Sequence, residues 1–174
     1  MPKSSREKIA KDEKKIISEL RIHAKESIDN IAKNCKCSRQ KVWRIIKRLE
    51  KNKTIWGYNA VVDDEKLDVN RYMLLIKSSY QPMGDTINKI IDLTVQKKGK
   101  DIGVNILSGG LLHGMFDWVV IFTAKDINYA KKLKEILLTE YSQNIKEVEI
   151  MEYVFPLKEG GIVNPEIKKI REFF

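Results

Sequence analysis

Hydrophobic periodicity changes character once along this chain, near Thr54. Before that point apolar residues recur at three- and four-residue spacing. After it, short runs of β-branched and aromatic residues alternate with helical stretches. A chain patterned this way folds as an all-helical module followed by a strand-and-helix module, and 174 residues suffice for two small domains. A composition of 43% hydrophobic and 33% charged residues excludes a mainly disordered state. No apolar run exceeds five residues, as in Trp118 to Phe122, against the ~20 that a bilayer-spanning helix needs. The opening MPKSSREKIAKDEKK is basic but has no apolar core or cleavage site, so no secretory leader and a cytoplasmic location are expected.

Charge divides where the periodicity does. Residues 1–53 hold 17 Lys or Arg against 7 Asp or Glu, whereas residues 54–174 hold 16 against 17. A basic surface that only keeps a protein soluble would spread its excess over both parts. Concentration in the first third points to a polyanion-binding module, with nucleic acid as the leading partner, joined to a neutral one.

Within the basic third, Asp12 is placed to cap a helix carrying Ile16, Ile17 and Leu20. Ser27 caps a short second helix with Ile28, Ile31 and Ala32. Cys35, Lys36 and Cys37 make a tight connection, and Ser38 caps a third helix reaching about Asn52. Helix, three-residue turn, helix is the helix-turn-helix pattern. Two cysteines one residue apart cannot bridge without severe strain, and no second pair stands at zinc-site spacing. Reduced thiols in the turn are expected, with no metal and no cofactor.

On a helical wheel Val42, Ile45, Ile46 and Leu49 of the third helix form one apolar stripe. Gln40, Arg44, Lys47 and Lys51 point away from it, with Lys41 and Arg48 on one shoulder and Arg39 and Trp43 on the other. Arg, Lys and Gln match the donor and acceptor patterns of guanine and adenine edges in a major groove that admits an α-helix. From Lys33 to Lys53 nine residues are positive and only Glu50 is negative, unlike a solvated face built from mixed-sign pairs. The expected DNA-binding residues are therefore Ser38, Arg39, Gln40, Lys41, Trp43, Arg44, Lys47, Arg48 and Lys51, and the partner double-stranded DNA. Trp43 either touches thymine methyls or packs on the segment beyond the helix. That segment, Thr54 to Val62, TIWGYNAVV, reads as two short strands around Gly57 and would make the module a winged one.

The expected organisation is a helix-turn-helix domain with an N-terminal extension over 1–62, a polar linker over 63–70, a βαββαβ domain over 71–158 and a helical C-terminal extension over 159–174. Strands are expected at Tyr72–Tyr80, Val104–Leu107, Phe116–Thr123 and Ile145–Phe155. Asp85 is placed to cap one helix, which stops at Gly99, and Asp126 to cap another. The fold class is α+β, a ferredoxin-like sandwich with both helices on one face of an antiparallel sheet. The first and third strands are apolar on both faces: Met73 and Leu75 as well as Leu74 and Ile76, Val119 and Ile121 as well as Trp118, Val120 and Phe122. A second subunit's sheet is the simplest cover, so a two-fold homo-oligomer is expected.

The run from Asp12 to Leu67 resembles the N-terminal domain of the Lrp/AsnC (feast/famine) transcription regulators, of archaeal type. Ser38-Arg39-Gln40-Lys41-Val42, Arg48-Leu49-Glu50, Ile55, Gly57-Tyr58 and Asp63 to Leu67 stand where that family has its S-x-x-x-V, RLE, I-x-GY and D-x-x-x-L elements. Gly114-Met115-Phe116-Asp117 resembles the G-x-x-D loop before its third strand. The resemblance, over residues 12 to 158, implies a sequence-specific regulator, dimeric or assembled from dimers, responding to an amino acid held between sheet domains. Gly110, His113, Gly114, Met115 and Asp117 are the effector candidates it implies, although Gly-Gly and a strand-edge Asp equally suit a plain hairpin. Ser108 to His113 makes this approach longer and richer in glycine than is usual for the family. Two other readings stand beside the regulator: a sequence-tolerant architectural DNA-binding protein, and a siroheme-decarboxylase-like enzyme on the same fold. Against any enzyme, His23 and His113 are isolated and no catalytic constellation appears.

Overall fold

A computed structural model describes residues 3–174; Met1 and Pro2, where the expected extension and the basic opening begin, lie outside the described residues. The chain forms two compact units. One comprises the residues up to Val61 together with Pro156–Phe174, the other Val62–Phe155.

The first unit is built on α1 (Lys3–Leu20), α2 (Ile28–Cys35) and α3 (Arg39–Lys51). Their apolar stripes meet in one core of Ile16, Leu20, Ile31, Ala32, Cys35, Val42, Ile45, Ile46 and Leu49. Ser27 and Ser38 cap α2 and α3 as their side chains suggest, accepting from the backbone N–H of Asn30 and Lys41. Such caps contribute about 1 kcal/mol each. The turn between α2 and α3 closes through the backbone: Lys36 is left-handed at φ 53°, and Cys37 N–H donates to Ala32 O at 2.9 Å.

Three expectations for this unit are corrected. Asp12 does not cap α1 but lies within it, because the Ala, Lys and Glu of residues 7–11 are good helix formers and carry the helix back to Lys3. Thr54 to Val62 forms no strand pair, so the wing strands are absent. Gly57 divides it into arms of three and five residues, Ile55 packs back on the helical core instead of on a partner strand, and Trp56 is 95% exposed; isolated hairpins are marginal at best. The C-terminal extension is not a simple helix. It starts with a hairpin of β5 (Lys158–Glu159) and β6 (Ile162–Val163), turned by Gly160 and Gly161 at φ 54° and 92°, and only Ile167–Phe173 is helical, as a 3-10 segment.

The second unit opens with a 3-10 turn at Asp64–Leu67 and runs β1 (Asn70–Ser78), α4 (Thr86–Ile91), α5 (Thr94–Asp101), β2 (Asn105–Leu111), β3 (Trp118–Ala124), α6 (Ile127–Glu140) and β4 (Ile145–Glu152). The four strands form one antiparallel sheet in the order β2-β3-β1-β4. That is the ferredoxin-like arrangement within an α+β chain. Tyr72, Leu74, Ile76, Phe122 and Val148 meet Val95 of α5 and Ala130, Leu133 and Leu137 of α6 in the core.

The expected single helix capped by Asp85 is two helices, broken where Leu93 takes a left-handed φ of 56°, and the Asp85 side chain makes no capping hydrogen bond because its own backbone is already helical. Gly99 does not stop a helix. It lies inside α5, where an added Cβ would sit 3.0 Å from the Leu133 side chain, so it is small because α6 passes close by. Strand β2 reaches Leu111, farther than expected, and takes Ser108 to Gly110 into its pairing with β3 after an irregularity between Ile106 and Ser108.

Candidate nucleic-acid interface

The helical core fixes which side of α3 meets solvent. Val42, Ile45, Ile46 and Leu49 are buried, and Arg39, Gln40, Trp43, Arg44, Lys47, Arg48 and Lys51 are exposed. These seven of the nine expected DNA-binding residues thus share the open side of one capped helix. Ser38 is spent on the cap, and Lys41 is half-buried.

Acidic residues of α1 engage two of the basic groups. Lys41 Nζ donates to Asp12 Oδ2, and the same hydrogen bond holds the Asp12 carboxyl below its ordinary pKa range. Arg48 donates to Glu13 Oε2 at 3.0 Å. With Asn34 donating to Glu19 at 2.6 Å, these contacts fasten α1 to α2 and α3 around the apolar core. Sequence reasoning missed Asp12 and Glu13 in this supporting role, since nothing local marks a partner 29 or 35 residues away.

Along the exposed side, Lys47 donates to Glu50 at 3.0 Å and Tyr58 OH donates to the same carboxylate at 3.1 Å. The Lys47 bond first, then that of Tyr58, pulls the Glu50 carboxyl below its usual range, while burial and then Glu50 push the Tyr58 hydroxyl up. Glu50 thereby ties the segment after α3 to the end of that helix. Arg39 lies 3.5 Å from Asp29 in an exposed pair of small energetic weight. Among the described residues, Arg44 and Lys51 have no ion-pair partner.

A shallow cleft of about 410 Å³ opens at the head of α3, lined by Ile28, Arg39, Gln40, Trp43 and Arg44. Ile28, the first residue of α2, carries no mark in the sequence beyond its place in an apolar stripe. Cys35 is buried, which raises its thiol pKa, and Cys37 Sγ donates to Cys35 O at 3.5 Å.

The effector candidates all fall on the β2–β3 hairpin of the other unit. Gly110 pairs with Val119, while His113, Gly114 and Met115 are exposed in the connecting loop. Asp117 shapes this turn: its carboxylate accepts from Ser78 N–H at 2.7 Å, its N–H donates to Ile76 O at 2.9 Å, and its carbonyl accepts from Leu112 N–H. Among the described residues no cluster of three or more His, Cys, Asp or Glu could hold a metal, and no helix is long and apolar enough to cross a membrane.

Neither a protein-family model nor a curated protein sequence matches the chain. Solved structures do. The crystal structure of PH0061 superposes with a TM-score of 0.67 at 22% identity, covering 85% of this chain and 94% of that one. The transcriptional regulator NMB0573 of Neisseria meningitidis, solved as a complex with L-Met, gives 0.64 at 15% identity, covering 86% and 92%. An AsnC family transcriptional regulator from Agrobacterium tumefaciens gives 0.64 at 15% identity, covering 85% and 92%. The structural neighbours thus include an AsnC family regulator and a second transcriptional regulator, and at these identities the likeness establishes the fold, a helix-turn-helix unit followed by a ferredoxin-like one.

Proposed function

We propose that this protein is a sequence-specific, DNA-binding transcriptional regulator of the Lrp/AsnC type and not an enzyme. The observation that carries the reading is the exposed side of α3, where Gln40, Arg44, Lys47 and Lys51 project from a helix whose other side is locked into a three-helix core. Arg44 and Lys51, which have no ion-pair partner among the described residues, cost little to reorganise on a rigid helix when they meet phosphates or base edges. Arg44 is the base reader, because its guanidinium is unpaired and guanine offers O6 and N7 to it. Lys51, in the last turn, is a phosphate contact. Lys41 and Arg48, tied to Asp12 and Glu13, act chiefly by positioning the helix.

The working unit is a homodimer joined through the open faces of two sheets. Two recognition helices then meet successive major grooves, ~34 Å apart. An amino acid is the proposed effector, by extension from the L-Met complex of the Neisseria regulator. It would be held near the β2–β3 loop, where His113 and Met115 are free to touch it while Asp117 sets the loop's shape.

Binding of the full chain to its own upstream DNA and to a shuffled duplex, followed by fluorescence anisotropy across a salt series, tests the reading. A preference of ~10³ or more for one sequence is the expected result. Arg44→Ala should cost ~1 to 3 kcal/mol on the preferred site alone, and Lys51→Ala should weaken both duplexes alike and flatten the salt slope by ~0.9. Equal affinity for both duplexes would replace the regulator by a DNA-coating protein, and no binding at low salt would return the fold to enzyme candidates.

A further inference from the structure

Trp43 stands out on the basic side of α3. Its indole is 53% exposed and takes no part in the helical core, although a tryptophan buries more apolar surface than any other side chain when it can. It lies in the cleft with Ile28, and the remaining lining comes from Arg39, Gln40 and Arg44. An apolar recess rimmed by two guanidiniums and an amide is a poor solvated surface, because the rim attracts anions and the recess gains nothing from water. Phosphates alone would satisfy the rim and leave Trp43, and the part of Ile28 not packed on the helical core, uncovered.

One surface supplies both halves. Among the donors, acceptors and small C–H groups of the base edges in a DNA major groove, the C5 methyl of thymine is the one alkyl group, and it projects toward the phosphate backbone. We infer that the Ile28–Trp43 cleft receives a thymine methyl, which makes Trp43 a specificity-determining residue beside the base edge read by Arg44. The inference rests on the DNA-binding reading above. Arg39, loosely held by Asp29 at 3.5 Å, and Gln40 are then free to follow the neighbouring phosphate or adenine edge.

Deoxyuridine differs from thymidine by this methyl alone, so it isolates the contact without touching hydrogen bonding. Duplexes enriched from a random pool by the full-length chain would be rebuilt with each dT replaced singly by dU, and anisotropy measured for the wild type, Trp43→Ala and Trp43→Gln. Burial of one methyl is worth about a fourfold change in affinity. The wild type should lose about that factor at one or two positions per half-site and nothing elsewhere. Both variants should bind the dT and dU duplexes equally, with far-UV circular dichroism matching the wild type.

Indifference of the wild type to dU at every position would overturn the inference, as would a dU penalty that survives in both variants. A pool from which no sequence is enriched would instead overturn the DNA-recognition reading beneath it, and it would do so before any uridine is introduced.

Discussion

Asp12 shows how one side chain in this protein acts at a distance. Set within α1 and only 8% exposed, it would be costly there without a partner, and Lys41 from the start of α3 supplies one. Its folded pKa lies below the unperturbed value of 3.8, so the unfolded chain binds the proton first. The stability this pair contributes is therefore complete above about pH 4 and is lost as the pH falls through the lower folded value. Thermal melts followed between pH 5 and 2 should show a steeper acid limb for the wild type than for Asp12→Asn, and parallel limbs would show that the pair contributes nothing. Lys41→Met should lower the melting temperature yet leave the salt dependence of DNA binding unchanged, in contrast to Lys51→Ala; a slope reduced by ~0.9 would make Lys41 a phosphate contact after all. In the sequence, Asp12 precedes an apolar periodic run and so has the look of a cap. The cap residues Ser27, Ser38 and Asp126 were legible because their partners lie two or three residues away, whereas the partner of Asp12 lies 29 away.

Elements show the same division between local and distant causes. α2, α3, α6 and the four sheet strands were legible, since each has its own apolar period and the three helices have a capping residue besides. The break between α4 and α5 was not, because no Gly or Pro marks it and Leu93 holds the left-handed conformation instead. A left-handed leucine costs ~1–2 kcal/mol and its side chain is 53% exposed. Leu93→Gly should therefore stabilise the sheet unit by ~0.5–1 kcal/mol in urea melts, after the unfolded-state entropy of glycine is subtracted; a destabilised variant would mean that the leucine packs usefully. The tail was illegible for another reason: its hairpin seats on residues far away in sequence. A Cβ at Gly161 would meet Ile22 at 3.6 Å and one at Gly160 would meet Val61 at 3.4 Å. Ending the chain at Phe155 should lower the stability of the helical unit by ~1 kcal/mol, roughly 4–8 °C for a unit of its size. Hydrogen exchange should rise in α1 to α3 and stay constant in the sheet core. Unchanged protection of the helices would mean that the tail is no part of that unit.

For the molecule as a whole, the open face of the sheet carries the largest consequence. Pairing registers place Met73 beside Ile121 and Met151, and Leu75 beside Val119, on the side opposite the Tyr72–Leu74–Ile76 core row. Arg71, Lys77, Glu147 and Glu149 surround these five apolar residues, an apolar centre with a charged rim of the kind found where two surfaces close on each other. Strands with apolar residues on both faces were visible in the sequence, because alternation fails in TyrMetLeuLeuIle and TrpValValIlePhe alike. Which residues point to which side needed the register, since a slip of one residue exchanges the faces. Burying the patch against its two-fold copy makes each contact count twice, so one lysine introduced at its centre places two charges in the same apolar interface. Leu75→Lys and Ile121→Lys should each shift the mass seen by light scattering from dimer or larger toward monomer at micromolar concentration. Lys77→Ala, at the rim, should not. DNA affinity of the two central variants should fall as well, because a monomer offers one recognition helix where a dimer offers two. A monomeric mass for the wild type, or unchanged masses for both central variants, would remove the sheet-to-sheet dimer and with it the ~34 Å spacing of the helices.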